Sequence, residues 1–138
     1  LRRMVSEYPE KIRLIHRHYP MDHQVNPIVK EPFHSGAGKM AMVAIYAMLE
    51  GKFWETNDAL FKMPRDENAI SLKKLGEKIG IDPHVLAGSI NHPVIKRRLA
   101  LDILEGMKLK ITGTPSFVVD DEVFLGQIPP TVFDRVLN

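Results

Sequence analysis

The chain has 138 residues, of which 44% are hydrophobic and 26% charged, a composition typical of one globular domain with a core of its own. Nineteen Lys and Arg side chains against 17 Asp and Glu leave a formal charge of +2, and no block of like charges predicts a nucleic-acid partner. There is no cysteine, so these residues carry no disulfide, no thiolate metal site and no cysteine nucleophile.

The first predicted element is a helix that ends before Pro9 and has one apolar face, formed by Leu1, Met4, Val5 and Tyr8. Because Leu1 is not an initiator methionine and nothing before it caps this helix, we expect a processed or partial chain. Residues 11–19 are predicted to form an interior strand, since both faces of the alternating pattern carry bulky side chains. Prolines at 20, 27 and 32 then predict an irregular loop of about 15 residues.

Residues 36–109 are predicted to be helical throughout, in several short pieces. Two helices cover 40–50 and 52–63, the first ended by a glycine and the second by Pro64. Ser71 caps the next helix and Gly80 ends it, while the pair Asp82-Pro83 starts another. The longest predicted helix covers 93–110 and buries one side, formed by Ile95, Leu99, Ile103 and Met107.

After Lys110 the pattern changes to two β-branched and aromatic runs, 116–119 and 123–125, separated by three acidic residues. This predicts a β-hairpin, and the pair Pro129-Pro130 precedes a final amphipathic helix. Pro115 stands where the first strand starts, a position that tolerates proline because no ladder hydrogen bond is lost there. From the residues alone, a cis and a trans bond before Pro115 both stay open.

The segment Gly113-Thr114-Pro115-Ser116-Phe117, followed by a hairpin and a terminal helix, resembles the cis-proline half of the thioredoxin fold. The helical residues 36–109 resemble the helical insertion of the DsbA-like branch, and Gly51-Lys52-Phe53-Trp54-Glu55 matches that family in order and spacing. The resemblance implies an α/β fold, a single DsbA-like thioredoxin domain over residues 1–138 that lacks its N-terminal strand. Within it, 36–109 would be the helical insertion and 110–138 the cis-proline loop, hairpin and C-terminal helix.

The resemblance implies thiol–disulfide exchange, that is, the formation or isomerisation of protein disulfides. In such proteins a Cys-x-x-Cys lies at the N-terminus of the first helix, where backbone N–H groups lower the thiol pKa. We expect that motif upstream of Leu1, so no residue of this chain is a predicted catalytic residue and the chain alone is expected to be inactive. Substrate binding does carry over: the Thr114–Pro115 bond is implied to be cis, with the Thr114 backbone pairing with an extended substrate.

The implied partners are unfolded or cysteine-containing proteins and a membrane redox partner, without a cofactor, in the periplasm or another extracytoplasmic space. Two other functions stay open. One is a redox-inert thioredoxin-fold module that binds peptides in a chaperone-like role, and the other is a relative that transfers or isomerises small molecules with glutathione. Some relatives are implied to carry extra cysteines at the positions of Val25 and Gly38, where this chain has none.

Three other motifs predict little. The run Gly36-Ala37-Gly38-Lys39 lacks both the earlier glycine and the following Ser or Thr of a phosphate-binding loop. Four histidines lie in or near the predicted strand (His16, His18, His23 and His34), but no carboxylate or thiolate stands at a recognisable ligand spacing, so we predict structural histidines and no metal. The short basic clusters 2–3 and 96–98 are predicted to be solvated helix faces.

Overall fold

The computed structural model describes residues 1–63 and 71–138, and within these ranges the chain forms seven helices and one two-stranded sheet. The helices are α1 (Arg2–Glu7), α2 (Ala37–Leu49), α3 (Phe53–Lys62), α4 (Leu72–Ile79), α5 (Pro83–Ser89), α6 (Pro93–Lys108) and α7 (Pro130–Leu137). The strands are β1 (Ser116–Val119) and β2 (Glu122–Leu125). The predicted helix stop at Pro64 lies outside the described residues.

The helix boundaries follow from local chemistry, and the predicted caps are confirmed. The Ser71 hydroxyl accepts a hydrogen bond from the Lys74 N–H, which satisfies a donor that the first turn of α4 leaves free. Gly80 ends α4 with φ at 68°, in the left-handed region that favours glycine. The Asp82 carboxylate caps α5, whose first residue is Pro83.

Helix α2 is the centre of the core, because one buried cluster packs on each of two sides of it. The first cluster joins α2 to α6 and comprises Ala41, Met42, Ile45, Ile95, Leu99 and Ile103. The second joins α2 to α3, α4 and α5 and comprises Val43, Ala59, Leu75, Ile79 and Leu86. Three of the four α6 residues predicted to be buried lie in the first cluster, whereas Met107 is 37% exposed and that part of the prediction is wrong.

The strand predicted for residues 11–19 does not form. Within the described part of the chain, residues 13–19 make no backbone-to-backbone hydrogen bond, and the His18 N–H donates instead to the Asp102 carboxylate. A strand needs a paired neighbour as well as a suitable side-chain pattern, and no described residue pairs with this segment. Ile15 is 57% exposed, so the prediction of an interior position is wrong too.

The predicted loop after Pro20 has no regular structure but is held by two buried polar side chains. Asp22 is 1% exposed, and its carboxylate accepts the N–H groups of Gln24, Gly36 and Gly38, each at 3.0 Å. Asn26 is fully buried, and its amide donates to the Pro20 carbonyl. Buried backbone groups are thereby satisfied without a helix or a sheet, and the start of α2 is fixed to the loop.

The predicted hairpin is confirmed, with β1 and β2 antiparallel and Phe117 opposite Phe124. Its turn residues Asp120 and Asp121 have φ values of 48° and 66°, the backbone geometry of a tight two-residue hairpin turn. Arg135 on α7 reaches back to this turn and contacts Asp120 and Glu122. In the described ranges, no helix is long and apolar enough to cross a membrane.

Candidate functional site

The loop of residues 109–115 connects α6 to β1 and contains both predicted substrate-binding residues, Thr114 and Pro115. The Thr114–Pro115 peptide bond is cis. Two hydrogen bonds hold the loop on either side of that bond. The Ser116 hydroxyl donates to the Gly113 carbonyl at 2.7 Å, and the Gly126 N–H donates to the Pro115 carbonyl at 2.8 Å. The loop is therefore tied to both strands at the open end of the hairpin.

Thr114 and Pro115 are both exposed. Among the described residues, neither the Thr114 N–H nor its carbonyl has a hydrogen-bond partner, because the β1–β2 ladder begins one residue beyond Pro115. An extended chain lying beside the loop could supply both missing partners, as in other cases where a peptide adds to a sheet edge. The geometry thus leaves one residue of backbone available for pairing.

Tyr19 connects this loop to residues 11–19, the segment in which Tyr19 is the last residue. Its hydroxyl donates to the Ile111 carbonyl at 3.1 Å, and its ring packs on Gly106 of α6. A Cβ atom at position 106 would lie 2.5 Å from two atoms of that ring, so only glycine permits this close approach. The end of residues 11–19 is therefore fixed next to the loop by a side-chain contact and without strand pairing.

A second feature is an open cavity of about 360 Å³ between residues 13–18 and helices α2, α3 and α6. The rings of His16 and His18 lie edge to face there, with centroids 4.6 Å apart, and the Phe53 ring is 4.8 Å from that of His16. Trp54, the single tryptophan of the chain, completes the aromatic wall. We refer to this cavity, between residues 13–18 and helices α2, α3 and α6, as the histidine cavity.

The surroundings of the histidine cavity lower the pKa of both imidazoles. Burial, the neighbouring His16 and the guanidinium of Arg98 together lower the pKa of His18 to about 3. Partial burial also lowers the pKa of His16, although the nearby Asp102 charge acts in the opposite direction. Asp102 is 6% exposed, accepts a hydrogen bond from the backbone N–H of His18 at 3.0 Å, and has the guanidinium groups of Arg17 and Arg98 about 4 Å away.

The structure brings only two of the candidate metal-ligating histidines, His16 and His18, into contact with each other. Over the described ranges, no three His, Cys, Asp or Glu side chains are arranged to hold a metal ion. His23 lies in the loop after Pro20, with its Nδ1 atom 3.7 Å from the carboxylate of Asp22. The Nδ1 atom is buried and makes no hydrogen bond to a described residue.

The whole chain, residues 1–138, matches the family model for the DSBA-like thioredoxin domain. The chain belongs to this family. Neither the comparison with curated proteins nor that with solved structures gives a match. The predicted fold class, an α/β DsbA-like thioredoxin domain with a helical insertion, is confirmed. Membership indicates a function of the thiol–disulfide oxidoreductase type in general, in a family whose members typically work outside the cytoplasm.

Val25 and Gly38, the positions where some DsbA-like relatives are implied to carry cysteines, lie against each other. A Cβ atom at Gly38 would be 2.6 Å from one Val25 methyl carbon and 2.9 Å from the other. The two Val25 methyl groups therefore occupy the space next to Gly38, and the loop is joined to α2 here by packing and by the Asp22 hydrogen bonds.

Two buried carboxylates that bond to backbone N–H groups were not predicted from the sequence. Asp102 stands on the same helical face as the buried Leu99, Ile103 and Gly106, and a carboxylate in an apolar stripe is a signal for a buried polar contact. Asp22 gives no such signal, because it lies in a loop with no periodic pattern around it. Only the folded chain shows that its carboxylate faces the start of α2.

Proposed function

We propose that this chain provides the substrate-binding surface of a protein thiol–disulfide oxidoreductase, and that the reactive Cys-x-x-Cys lies outside the 138 residues. The single observation that carries the proposal is the backbone of the exposed residue Thr114, which has no hydrogen-bond partner among the described residues and stands beside a cis proline in a DSBA-like thioredoxin domain. An extended polypeptide would pair with the Thr114 N–H and carbonyl, and its side chains would lie beside the hairpin.

The chemistry that this binding would serve is exchange between a thiolate and a disulfide. The attacking thiolate forms a bond to one sulfur of the disulfide, and the other sulfur leaves as a thiolate that accepts a proton. Since the chain contains no cysteine, it can hold a substrate for this step but supplies neither the attacking thiolate nor a disulfide. Unfolded or cysteine-containing proteins are the proposed substrates, and a membrane redox partner would restore the oxidation state of the cysteine pair.

The proposed location is the periplasm or another extracytoplasmic space. Protein disulfides form and persist in oxidising compartments, and a protein that makes or rearranges them works where they are stable. The family supports this assignment. The absence of cysteine supports a second candidate, a redox-inert module that uses the same surface to bind unfolded peptides.

The backbone-pairing step is tested by adding an unfolded peptide with serine in place of cysteine to the isotope-labelled chain. We expect the amide resonances of Thr114 and Ser116 to shift on binding. A matched peptide that is N-methylated at the central residue lacks one hydrogen-bond donor, and we expect it to bind about tenfold more weakly. Equal binding of both peptides, or shifts confined to other surfaces, would contradict the assignment of Thr114.

The redox step has a separate test. The coding sequence upstream of Leu1 is expected to contain Cys-x-x-Cys, and the 138-residue chain alone is expected to reduce no insulin disulfides. Insulin reduction by the chain alone would overturn the proposed location of the chemistry. Peptide binding in a protein whose coding sequence has no cysteine pair would favour the redox-inert module, and serine at the first cysteine position would favour a glutathione-dependent relative.

A further inference from the structure

The chain leaves α6 through a backbone turn that sets the direction of the cis-proline loop. The Lys110 N–H donates to the Met107 carbonyl at 3.0 Å. The Ile111 N–H donates to the Gly106 carbonyl, also at 3.0 Å. This is the Schellman arrangement, in which a left-handed residue just after a helix lets the chain satisfy the last carbonyl groups. That residue is usually glycine, but here it is Lys110, with φ at 57°, so the turn depends on contacts from outside α6 more than a glycine turn would.

Tyr19 makes such a contact. Its hydroxyl donates to the Ile111 carbonyl at 3.1 Å, and Ile111 stands three residues before Thr114. The Tyr19 ring lies against Gly106, the residue whose carbonyl accepts the Ile111 N–H. Both backbone polar groups of Ile111 are therefore held, the N–H by α6 and the carbonyl by Tyr19.

Tyr19 is itself held in place by the two residues before it. The His18 backbone N–H donates to the Asp102 carboxylate at 3.0 Å, and the Arg17 guanidinium donates to the Glu105 carboxylate at 2.9 Å. The Tyr19 ring also packs against the buried cluster that joins α2 to α6. Three successive residues thus contact the second half of α6, so the hydroxyl of Tyr19 is presented to the loop from a fixed base.

We propose that Tyr19 is a positioning residue for peptide binding, which holds the backbone between α6 and the cis proline in the conformation that lets Thr114 pair with an extended polypeptide. The inference rests on the proposed function, because that function makes Thr114 the pairing residue. The hydrogen bonds from Ser116 and Gly126 hold the loop to the hairpin, whereas the contact of Tyr19 holds its other end next to α6. A loop already held in its binding conformation loses less freedom when a peptide pairs with it, and so binds more tightly.

The test removes one hydroxyl and keeps the ring, in the variant Tyr19→Phe. The matched control is Tyr46→Phe, because the Tyr46 hydroxyl also makes a hydrogen bond at 3.1 Å, to Glu50, and its ring packs against the same buried cluster. In the chain without peptide, we expect Tyr19→Phe alone to lower the NMR order parameters of the Gly113 and Thr114 amides. We expect it to bind the unfolded serine-containing peptide about three- to tenfold more weakly, and Tyr46→Phe to bind with the affinity of the wild-type chain.

A second pair of variants acts on the same contact from α6. In Gly106→Ala the new Cβ atom would lie 2.5 Å from two atoms of the Tyr19 ring, so the ring and its hydroxyl must move. We expect this variant to weaken peptide binding at least as much as Tyr19→Phe does. The double variant is expected to bind no more weakly than Gly106→Ala alone, since the hydroxyl contact is already lost. Gly88→Ala is the control, with no atom within 4 Å of the added Cβ atom, and circular dichroism checks that each variant is folded.

The outcomes for Tyr19 and for the proposed function are distinguishable. If the wild-type chain binds no peptide at Thr114, the proposed function is overturned, and a role for Tyr19 in binding with it. If the wild-type chain binds, three results would overturn the role of Tyr19 alone. They are unchanged binding by Tyr19→Phe, equal effects of Tyr19→Phe and Tyr46→Phe, and additive effects of Tyr19→Phe and Gly106→Ala.

Discussion

At the scale of single residues, His18 shows how the fold changes a titration. In the unfolded chain its imidazole has the ordinary pKa of 6.5, whereas burial, His16 and Arg98 lower its pKa to about 3 in the folded chain. Between these two values the unfolded chain binds a proton that the folded chain does not bind. The free energy of unfolding therefore decreases as the pH falls from 6.5 towards 3, with no further loss from this group below that range.

We predict that His18 costs the folded chain about 1–2 kcal/mol at pH 5 relative to pH 7, since each pH unit in this range is equivalent to about 1.4 kcal/mol before screening by solvent. The variant His18→Gln removes the titrating group. Between pH 7 and pH 5 its free energy of unfolding is expected to fall by about 1–2 kcal/mol less than that of the wild-type chain. The measurement is urea denaturation at both pH values. The control is His84→Gln on the exposed side of α5, and equal pH slopes for the two variants would contradict the assignment.

Buried polar residues mark the limit of what the sequence could predict at this scale. Ser71, Gly80 and Asp82 were predicted correctly because a cap acts on backbone groups only a few residues away. Asp22 bonds to the N–H groups of Gly36 and Gly38, 14 and 16 residues further along the chain. No local pattern encodes a contact of that separation, so the residue that holds the long loop was found only in the structure.

At the scale of elements, the helices form as predicted, whereas the strand predicted over residues 11–19 does not. The difference again lies in how far along the chain the hydrogen-bond partners are. Each helix satisfies its backbone internally, so periodicity and caps suffice to predict it. A strand is satisfied only by a neighbour, and the alternation in residues 11–19 could not show whether a neighbour is present. The hairpin was predicted correctly because β1 and β2 are each other's partner and only two residues separate them. At the candidate site, sequence resemblance identified the loop of Thr114 and Pro115, whereas the histidine cavity required the packing of three helices.

The junction between α4 and α5 gives an element-scale prediction. A Cβ atom on Gly76 would press into the Ile81 carbonyl oxygen and lie 3.0 Å from the Pro83 ring, whereas a Cβ atom on Gly88 would have no neighbouring atom within 4 Å. Both glycines are within helices, where alanine is intrinsically better by about 1 kcal/mol. We expect Gly76→Ala to lower the free energy of unfolding by about 2 kcal/mol or more and Gly88→Ala to raise it by up to about 1 kcal/mol.

Urea denaturation of the two variants measures this difference directly. The substitution is chemically the same in both, so helix propensity cancels and the sign difference isolates the close approach of α4 to Ile81 and Pro83. Two stabilised variants would show that the junction opens readily to admit a methyl group. Two destabilised variants would show that both helices depend on glycine for a reason other than contact with Ile81 and Pro83.

At the scale of the whole molecule, the described structure has one well-packed part and one lightly attached part. Helix α2 contacts α3, α5 and α6, and both buried clusters include its side chains. The strands of the hairpin pair only with each other within the described residues, and α7 contacts their turn through the half-exposed Arg135. Exposed ion pairs contribute little stability, and a two-stranded hairpin is marginal by itself.

This difference predicts two levels of protection against hydrogen exchange. Amides of α2 are expected to exchange only when the whole domain unfolds, whereas those of β1 and β2 exchange through local opening, at least 100-fold faster, in native-state exchange measured by NMR. Ile45→Ala removes a buried side chain next to α6 and is expected to reduce the protection of α2 by about 2–5 kcal/mol while leaving the hairpin amides unchanged. Equal protection in wild-type α2 and the hairpin would show that they unfold together. Local opening would place the Thr114 backbone on the part of the domain that can adjust to a polypeptide, because a segment of lower local stability can change its conformation without unfolding the core.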